Sequence, residues 1–252
     1  METSNHLIIR FITLLFGGIL SLVGIACQLS DETTPMSSPN PVNTSPPTSS
    51  ANALTYLALG DSYTIGESVS EADRWSVQLA DLLTNDGIAV SSPDIIARTG
   101  WTTAELLQGI TASKNQKEYH LVSLLIGVNN QYRGQSLERF RTEFRELLNT
   151  ATRFAKNRPQ QVFVLSIPDW GVTPFGTDAN RERIAKEIDA FNTVAQAECT
   201  QAGIVYVDIT PLSRTALNDA SQIANDQLHF SGKMYRQWAE KALPVVKDLV
   251  KR

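Results

Sequence analysis

Four short runs of almost unbroken apolar residues constrain this chain more than anything else in it: LTYLAL at 54–59, LVSLLI at 121–126, VFVLSI at 162–167 and IVYVDI at 204–209. A strand with one wet face alternates apolar and polar residues. Strands that do not alternate are covered on both faces, which is the situation of a parallel sheet held between two layers of helices. A fainter fifth run, IIARTG, begins at Ile95. Between the runs lie amphipathic patterns. The clearest joins Leu137, Phe140, Phe144, Leu147, Leu148, Ala151 and Phe154 at three- and four-residue spacing, with Ser136 as its cap. TTAELLQGI follows the fifth run, and a terminal helix extends from a cap at Ser231 through Leu249, with Pro244 expected to bend or break it. Strand and helix thus alternate five times. The expectation is one three-layer α/β domain over 53–252, with a five-stranded parallel sheet and right-handed crossovers. About two hundred residues suffice for its core.

The first 52 residues read differently. FITLLFGGILSLVGIAC, Phe11 to Cys27, is uncharged, follows Arg10 and ends in small residues, the layout of a secretory signal over 1–26. A membrane-spanning anchor is the competing reading, since the run is only slightly short of the ~20 residues that cross a bilayer. Either reading puts the domain outside the cytoplasm. GIAC at 24–27 resembles the bacterial lipobox, in which cleavage leaves a lipid-modified cysteine, here Cys27; Gly24 stands where leucine is usual. The Ser/Thr/Pro/Asn-rich stretch over 27–52 has almost nothing to bury and is expected to act as an unfolded tether. With Cys27 lipidated, Cys199 has no partner and is expected to be a buried, inert thiol. A formal charge of −4 and a pI near 5.4 supply no basic field for nucleic acid.

In open parallel sheets ligands bind beyond the carboxyl ends of the strands. Ser62 follows the first run in LALGDSYTIG at 57–66, where Gly60 and Gly66 permit the sharp backbone that lifts a hydroxyl out of a sheet. Gly100 follows the fifth run, in ARTGWTT, and Asn129 follows LVSLLI, in IGVNNQ. A serine nucleophile needs a base, and the chain has three histidines. His6 lies in the signal. His120 opens its strand at the amino end, ~20 Å from the functional edge at about 3.3 Å per residue. His229 remains, in NDQLHFSG, with Asp226 three residues before it. On a helical turn that spacing brings a carboxylate beside the ring, to accept from Nδ1 and leave Nε2 for the serine proton. Asp61 and Asp169 are the competing carboxylates, of which Asp61 is expected to fix the serine turn instead. The backbone N–H groups of Ser62 and Gly100, with the Asn129 amide, are candidate oxyanion donors. IPDWGVTPFG at 167–176 is either a rim for substrate or plain loop packing, and Trp101, Gln131 and Tyr132 are open in the same way.

GDSYTIG, the glycine of RTGWTT, GVNN and DQLHFSG stand in the order of the four blocks of the SGNH branch of the GDSL esterases and lipases. From Gly60 to Gly232 the chain resembles that family. The resemblance implies a flavodoxin-like fold and a serine esterase without metal or cofactor. Ser62 would be nucleophile, His229 general acid and base, Asp226 its orienting carboxylate, and Ser62, Gly100 and Asn129 the oxyanion hole. Two positions depart from the pattern: Tyr63 stands where leucine is common, and Asn130 where aspartate usually follows the oxyanion asparagine. The G-x-S-x-G nucleophile motif fails at Thr64, and no metal, phosphate-loop or dinucleotide motif is present. The expected activity is ester hydrolysis through an acyl-enzyme, on a small ester or a lysophospholipid, outside the cytoplasm and tethered to a membrane. A deacetylase or acyltransferase acting on surface glycan is the alternative, and a non-catalytic binding module a more distant one.

Overall fold

The computed structural model describes residues 53–251; the expected signal, Cys27 and the tether lie outside the described residues. In chain order the elements are β1 (Tyr56–Gly60), α1 (Ser62–Ile65), α2 (Trp75–Asn85), β2 (Asp94–Ala97), α3 (Thr103–Ser113), β3 (Leu121–Leu125), α4 (Val128–Tyr132), α5 (Leu137–Phe154), β4 (Val162–Leu165), α6 (Arg181–Ala202), β5 (Val205–Val207), α7 (Thr210–Arg214) and α8 (Gly232–Val250). All five strands are parallel, in the order β2-β1-β3-β4-β5. This is the flavodoxin-like order, whose direction of winding reverses between β1 and β3. Helices cover both faces: α2 packs with α8, and α3, α5 and α6 pack in sequence.

The apolar runs become strands for the reason their composition suggests. β1, β3 and β4 are buried along their whole length. Phe163 on β4 lies between Tyr56, stacked at 6.4 Å, and Trp75, edge-on at 6.3 Å, in the arrangements aromatic quadrupoles favour. The one polar side chain within β3, Ser123, pairs with the Tyr56 hydroxyl at 2.9 Å, so its burial leaves no unmet hydrogen bond. β2 is half-buried throughout and sits at the sheet edge; less burial demands fewer apolar residues, which explains its faint signal.

Helix boundaries follow local chemistry, with three departures. The Ser136 hydroxyl accepts from the Arg139 N–H and caps α5, whose Phe140, Phe144, Leu147, Leu148 and Ala151 are buried. Leu137, the first residue of that stripe, is largely exposed. Ser231 occupies the N-cap position of α8, but its hydroxyl donates to the Ser221 carbonyl and caps nothing. Pro244 neither breaks nor ends α8, which continues to Val250. Pro244 faces solvent, so water can satisfy the carbonyl that loses its N–H partner. Cys199 is buried on α6, and burial pushes its thiol up to about 12. His120 accepts from the Thr55 N–H and pairs with its hydroxyl at the amino end of the sheet, as a structural group.

The carboxyl end of β1 is tightly packed. A Cβ on Gly60 would sit 2.4 Å from the Leu125 carbonyl oxygen and 2.2 Å from Thr64 Oγ1. Gly60→Ala is therefore expected to force the two strand ends apart and destabilise the domain by about 1–3 kcal/mol, measured by urea denaturation. An unchanged midpoint would show that the approach is not constrained.

Candidate active site

The turn after β1 is built by Asp61. Its carboxylate accepts from the Tyr63 N–H at 3.1 Å and caps α1, and Gly66, at φ 71°, closes that helix. Ser62 is thereby the first residue of α1, where its N–H has no intrahelical acceptor. Asp61 is fully buried, and that burial raises its carboxyl to about 7 against the pull of the backbone N–H groups of Tyr63, Asp61 itself and Gly127.

Two further loops arrive at the same edge. Gly100 has φ 85°, and its carbonyl accepts from Arg133 Nη2 at 2.6 Å. Its N–H meets no protein acceptor among the described residues. Asn129, in α4 directly after β3, donates one Nδ2 hydrogen to the Trp101 carbonyl at 2.9 Å, which fixes the amide and leaves the second hydrogen to be used. Asn130 is fully buried. Its Oδ1 accepts from the Thr103 N–H at 3.1 Å, and its Nδ2 donates to Thr103 Oγ1 at 2.6 Å and Gln135 Oε1 at 2.9 Å. An ionised aspartate has no hydrogens to give those two oxygens. In this chain the asparagine amide therefore ties α4 to α3 and to the loop before α5.

Asp226 and His229 meet in a loop rather than on the helical turn their spacing suggested. The loop is pinned by the antiparallel bridge between Ile223 and Phe230 and turns at Gln227, φ 66°. Asp226 Oδ1 accepts from the N–H groups of Leu228 and His229, and Oδ2 lies 2.6 Å from His229 Nδ1. Oδ2 also accepts from Ser68 Oγ at 2.7 Å. Burial raises the Asp226 carboxyl, but the hydrogen bonds from Ser68, His229 and Leu228 outweigh it and hold the group well below the usual carboxylate range. The Asp226 contact orients the imidazole with Nδ1 inward, and Nε2 has no partner among the described residues. Tyr63 packs edge-on to the ring at 5.7 Å.

Ser62, Asn129 and His229 border one cavity of about 190 Å³, whose other walls include Val128, Tyr132, Trp170, Phe175 and Leu228. No hydrogen bond joins Ser62 to His229. Gly100 does not border the cavity; it reaches the site through the Trp101 carbonyl that holds Asn129. Trp170 and Phe175 make the 167–176 segment a rim. Gln131 supports that rim, accepting from Trp170 Nε1 at 2.8 Å while donating to Glu187 at 2.6 Å. Trp101 packs instead against Gly109. Asp169 is committed elsewhere: it pairs with Arg214 at 2.9 Å and accepts from the Gly171 N–H. A larger depression, about 450 Å³, lies at the amino edge around Lys114, Lys117 and Arg153, but holds no nucleophile and base together. Among the described residues no three His, Cys, Asp or Glu side chains converge as metal ligands.

Ser68 belongs to no motif that would single it out. It has φ 62°, a costly conformation for serine, and its neighbour Gly66 is the only local hint of a left-handed turn. Because the Asp226 carboxyl is depressed in the folded chain, its hydrogen bonds contribute stability above the unfolded value of 3.8 and lose it as pH falls further. Ser68→Ala should be less stable than the parent near neutral pH, and the gap should narrow progressively as pH falls below about 4, as followed by urea denaturation across that range. A pH-independent gap would mean that Ser68 does not act through Asp226.

The GDSL-like lipase/acylhydrolase family model matches residues 58–237. No curated protein sequence matches the chain. Solved structures similar to it include TesA, at 19% identity and TM-score 0.62, covering 77% of this chain and 99% of that one. The psychrotrophic esterase EstA from Pseudoalteromonas sp., in a structure inhibited by monoethylphosphonate, is similar at 16% identity and TM-score 0.60, covering 79% and 99%. A Clostridium thermocellum family 3 carbohydrate esterase is similar at 21% identity and TM-score 0.60, covering 79% and 98%. These likenesses carry the fold; the family match over 58–237, more than half of the sequence, carries the family. The chain belongs to the GDSL-like lipase/acylhydrolase family and is a hydrolase acting on ester bonds.

Proposed function

We propose that the chain is a serine carboxylic ester hydrolase working through an acyl-enzyme, with Ser62 as nucleophile, His229 as general base and acid, and Asp226 as the group that orients His229. The observation that carries this reading is the cavity Ser62 shares with His229, whose other ring nitrogen is held by Asp226 at 2.6 Å. Ser62 Oγ attacks the ester carbonyl carbon as its proton passes to His229 Nε2. The oxygen that gains charge is met by the Ser62 N–H and the free amide hydrogen of Asn129; Gly100, set back from the cavity, acts through the Trp101 carbonyl that fixes Asn129. Collapse expels the alcohol, which takes the proton from His229. Water then repeats the sequence on the acyl-serine and releases the acid. Asp226 keeps the imidazole in the required tautomer and stabilises the imidazolium; it does not itself take the proton.

The cavity supports a short acyl group. Its 190 Å³ equals about six water volumes at ~30 Å³ each, and a lysophospholipid chain would leave most of its length outside. Membrane tethering through a lipid on Cys27, with the domain outside the cytoplasm, completes the proposal and rests on the N-terminal sequence. Similarity to a carbohydrate esterase supports a saccharide ester as the second reading.

Purified chain should react with a fluorophosphonate probe, and Ser62→Ala should abolish labelling. His229→Ala should lower kcat/KM on an aryl acetate by about 10³-fold or more. Labelling that persists in Ser62→Ala would remove the nucleophile. Among aryl esters of graded length, kcat/KM should fall about tenfold or more between the butanoate and the decanoate; a rise would contradict the short acyl site.

A further inference from the structure

The small cavity at Ser62 has two larger depressions near it. Tyr132 and Trp170, edge to face at 5.5 Å, form a wall it shares with a depression of about 360 Å³ bordered by Gln135, Arg183 and Glu187. Phe175 and Leu228 also border the cavity, and their chain neighbours Pro174, Gly176 and Gln227 border a depression of about 550 Å³ that carries Arg181, Asp219 and Asn225. Both depressions are larger than the cavity. An ester of a simple alcohol would leave them unused.

Their chemistry narrows the occupant. Each flank carries charges of both signs among amides: Arg183 and Glu187, paired at 2.7 Å, in one, and in the other Arg181, paired with Asp178, and Asp219, paired with Lys233. A polyanion or polycation would face repulsion in either, and an alkyl chain would take water from these charges and return no hydrogen bond. A neutral polyhydroxyl chain can donate to and accept from all of them. At the two divides stand Tyr132 and Phe175, 69% and 56% exposed, the most exposed large aromatic side chains among the described residues. An open ring face carries negative quadrupole charge, which suits the C–H faces of a sugar ring.

We infer that the alcohol side of the substrate is a neutral saccharide chain lying along this crevice, with its acylated unit at Ser62 and neighbouring units in the two flanking depressions. This rests on the reading of Ser62 as the reacting group. Tyr132 and Phe175 act as stacking platforms on either side of the scissile bond, and the polar flanks measure chain length.

The test separates binding from catalysis. The full chain carrying Ser62→Ala is titrated calorimetrically with xylotetraose, cellotetraose and tetra-N-acetylchitotetraose, and with the matching disaccharides. At least one tetrasaccharide should bind saturably and about tenfold more tightly than its disaccharide. Asn225→Trp and Arg183→Trp, each overlaying one depression from an exposed position, should each weaken that binding about tenfold. Lack of saturable binding by all three, binding independent of length, binding unaffected by both variants, or tighter binding of monomeric lysophosphatidylcholine would overturn the inference. Hydrolysis of an aryl acetate by the parent chain is measured alongside. Its failure would sink the serine mechanism and leave the binding result standing, whereas a failure of binding alone would sink only the saccharide.

Discussion

β1 and β3 run side by side with Gly60 opposite Leu125, so close that a side chain on Gly60 would strike the Leu125 carbonyl. Much of the site's geometry descends from that approach. The two strands flank the point where the winding of the sheet reverses, so the loops leaving them turn to opposite faces and open a crevice between. Ser62 enters the crevice from one strand and Asn129 from the other. Asp61 then converts the end of β1 into a helix start by capping α1, which lifts the Ser62 hydroxyl and leaves its N–H unclaimed by the helix. The proposed nucleophile and oxyanion donors are thus set by backbone packing rather than by long flexible side chains. Preorganisation of this kind is what electrostatic catalysis requires.

The proposed base arrives by a different route. His229 is carried by a loop, and a loop holds an imidazole only if something saturates the loop's own polar groups. Asp226 does this with four donors: two backbone N–H groups, the His229 ring and Ser68. Ser68 sits six residues after Ser62, so the hydrogen bond from its strained position joins the nucleophile turn to the base loop directly. Tyr63 adds an apolar contact between the same two segments. Tyrosine at this position, where the family more often has leucine, offers the imidazole a ring to pack against.

Much of this was legible in the sequence because it depends on composition. Runs without alternation announced buried parallel strands, and even the weakness of the IIARTG run had meaning, since β2 is a half-exposed edge. The serine, the asparagine and the histidine–aspartate pair, which the fold brings together, stand out on asking what lies past strand ends and which histidine remains. What stayed hidden depends on backbone conformation and long-range pairing. Nothing local reveals that Ser68 adopts a left-handed conformation and reaches a residue 158 positions away, or that Asp226 and His229 meet in a turn closed by the bridge between Ile223 and Phe230. Ser231 and Pro244 fail as rules for a common reason: solvent or a neighbouring carbonyl supplies what the local rule assumes must come from the helix. The exposed rings of Tyr132 and Phe175 also escape composition, because only the fold sets both of them beside the same cavity.

Covalent chemistry at the edge of β1 is the centre of this account, and rapid-quench mass spectrometry of the chain mixed with an aryl acetate tests it most directly. One acetyl group is expected on the peptide that carries Ser62, appearing before product release reaches its steady rate and absent when His229 is replaced by alanine. Acetylation at another residue, or full product formation with no acylated peptide at any time, would contradict it.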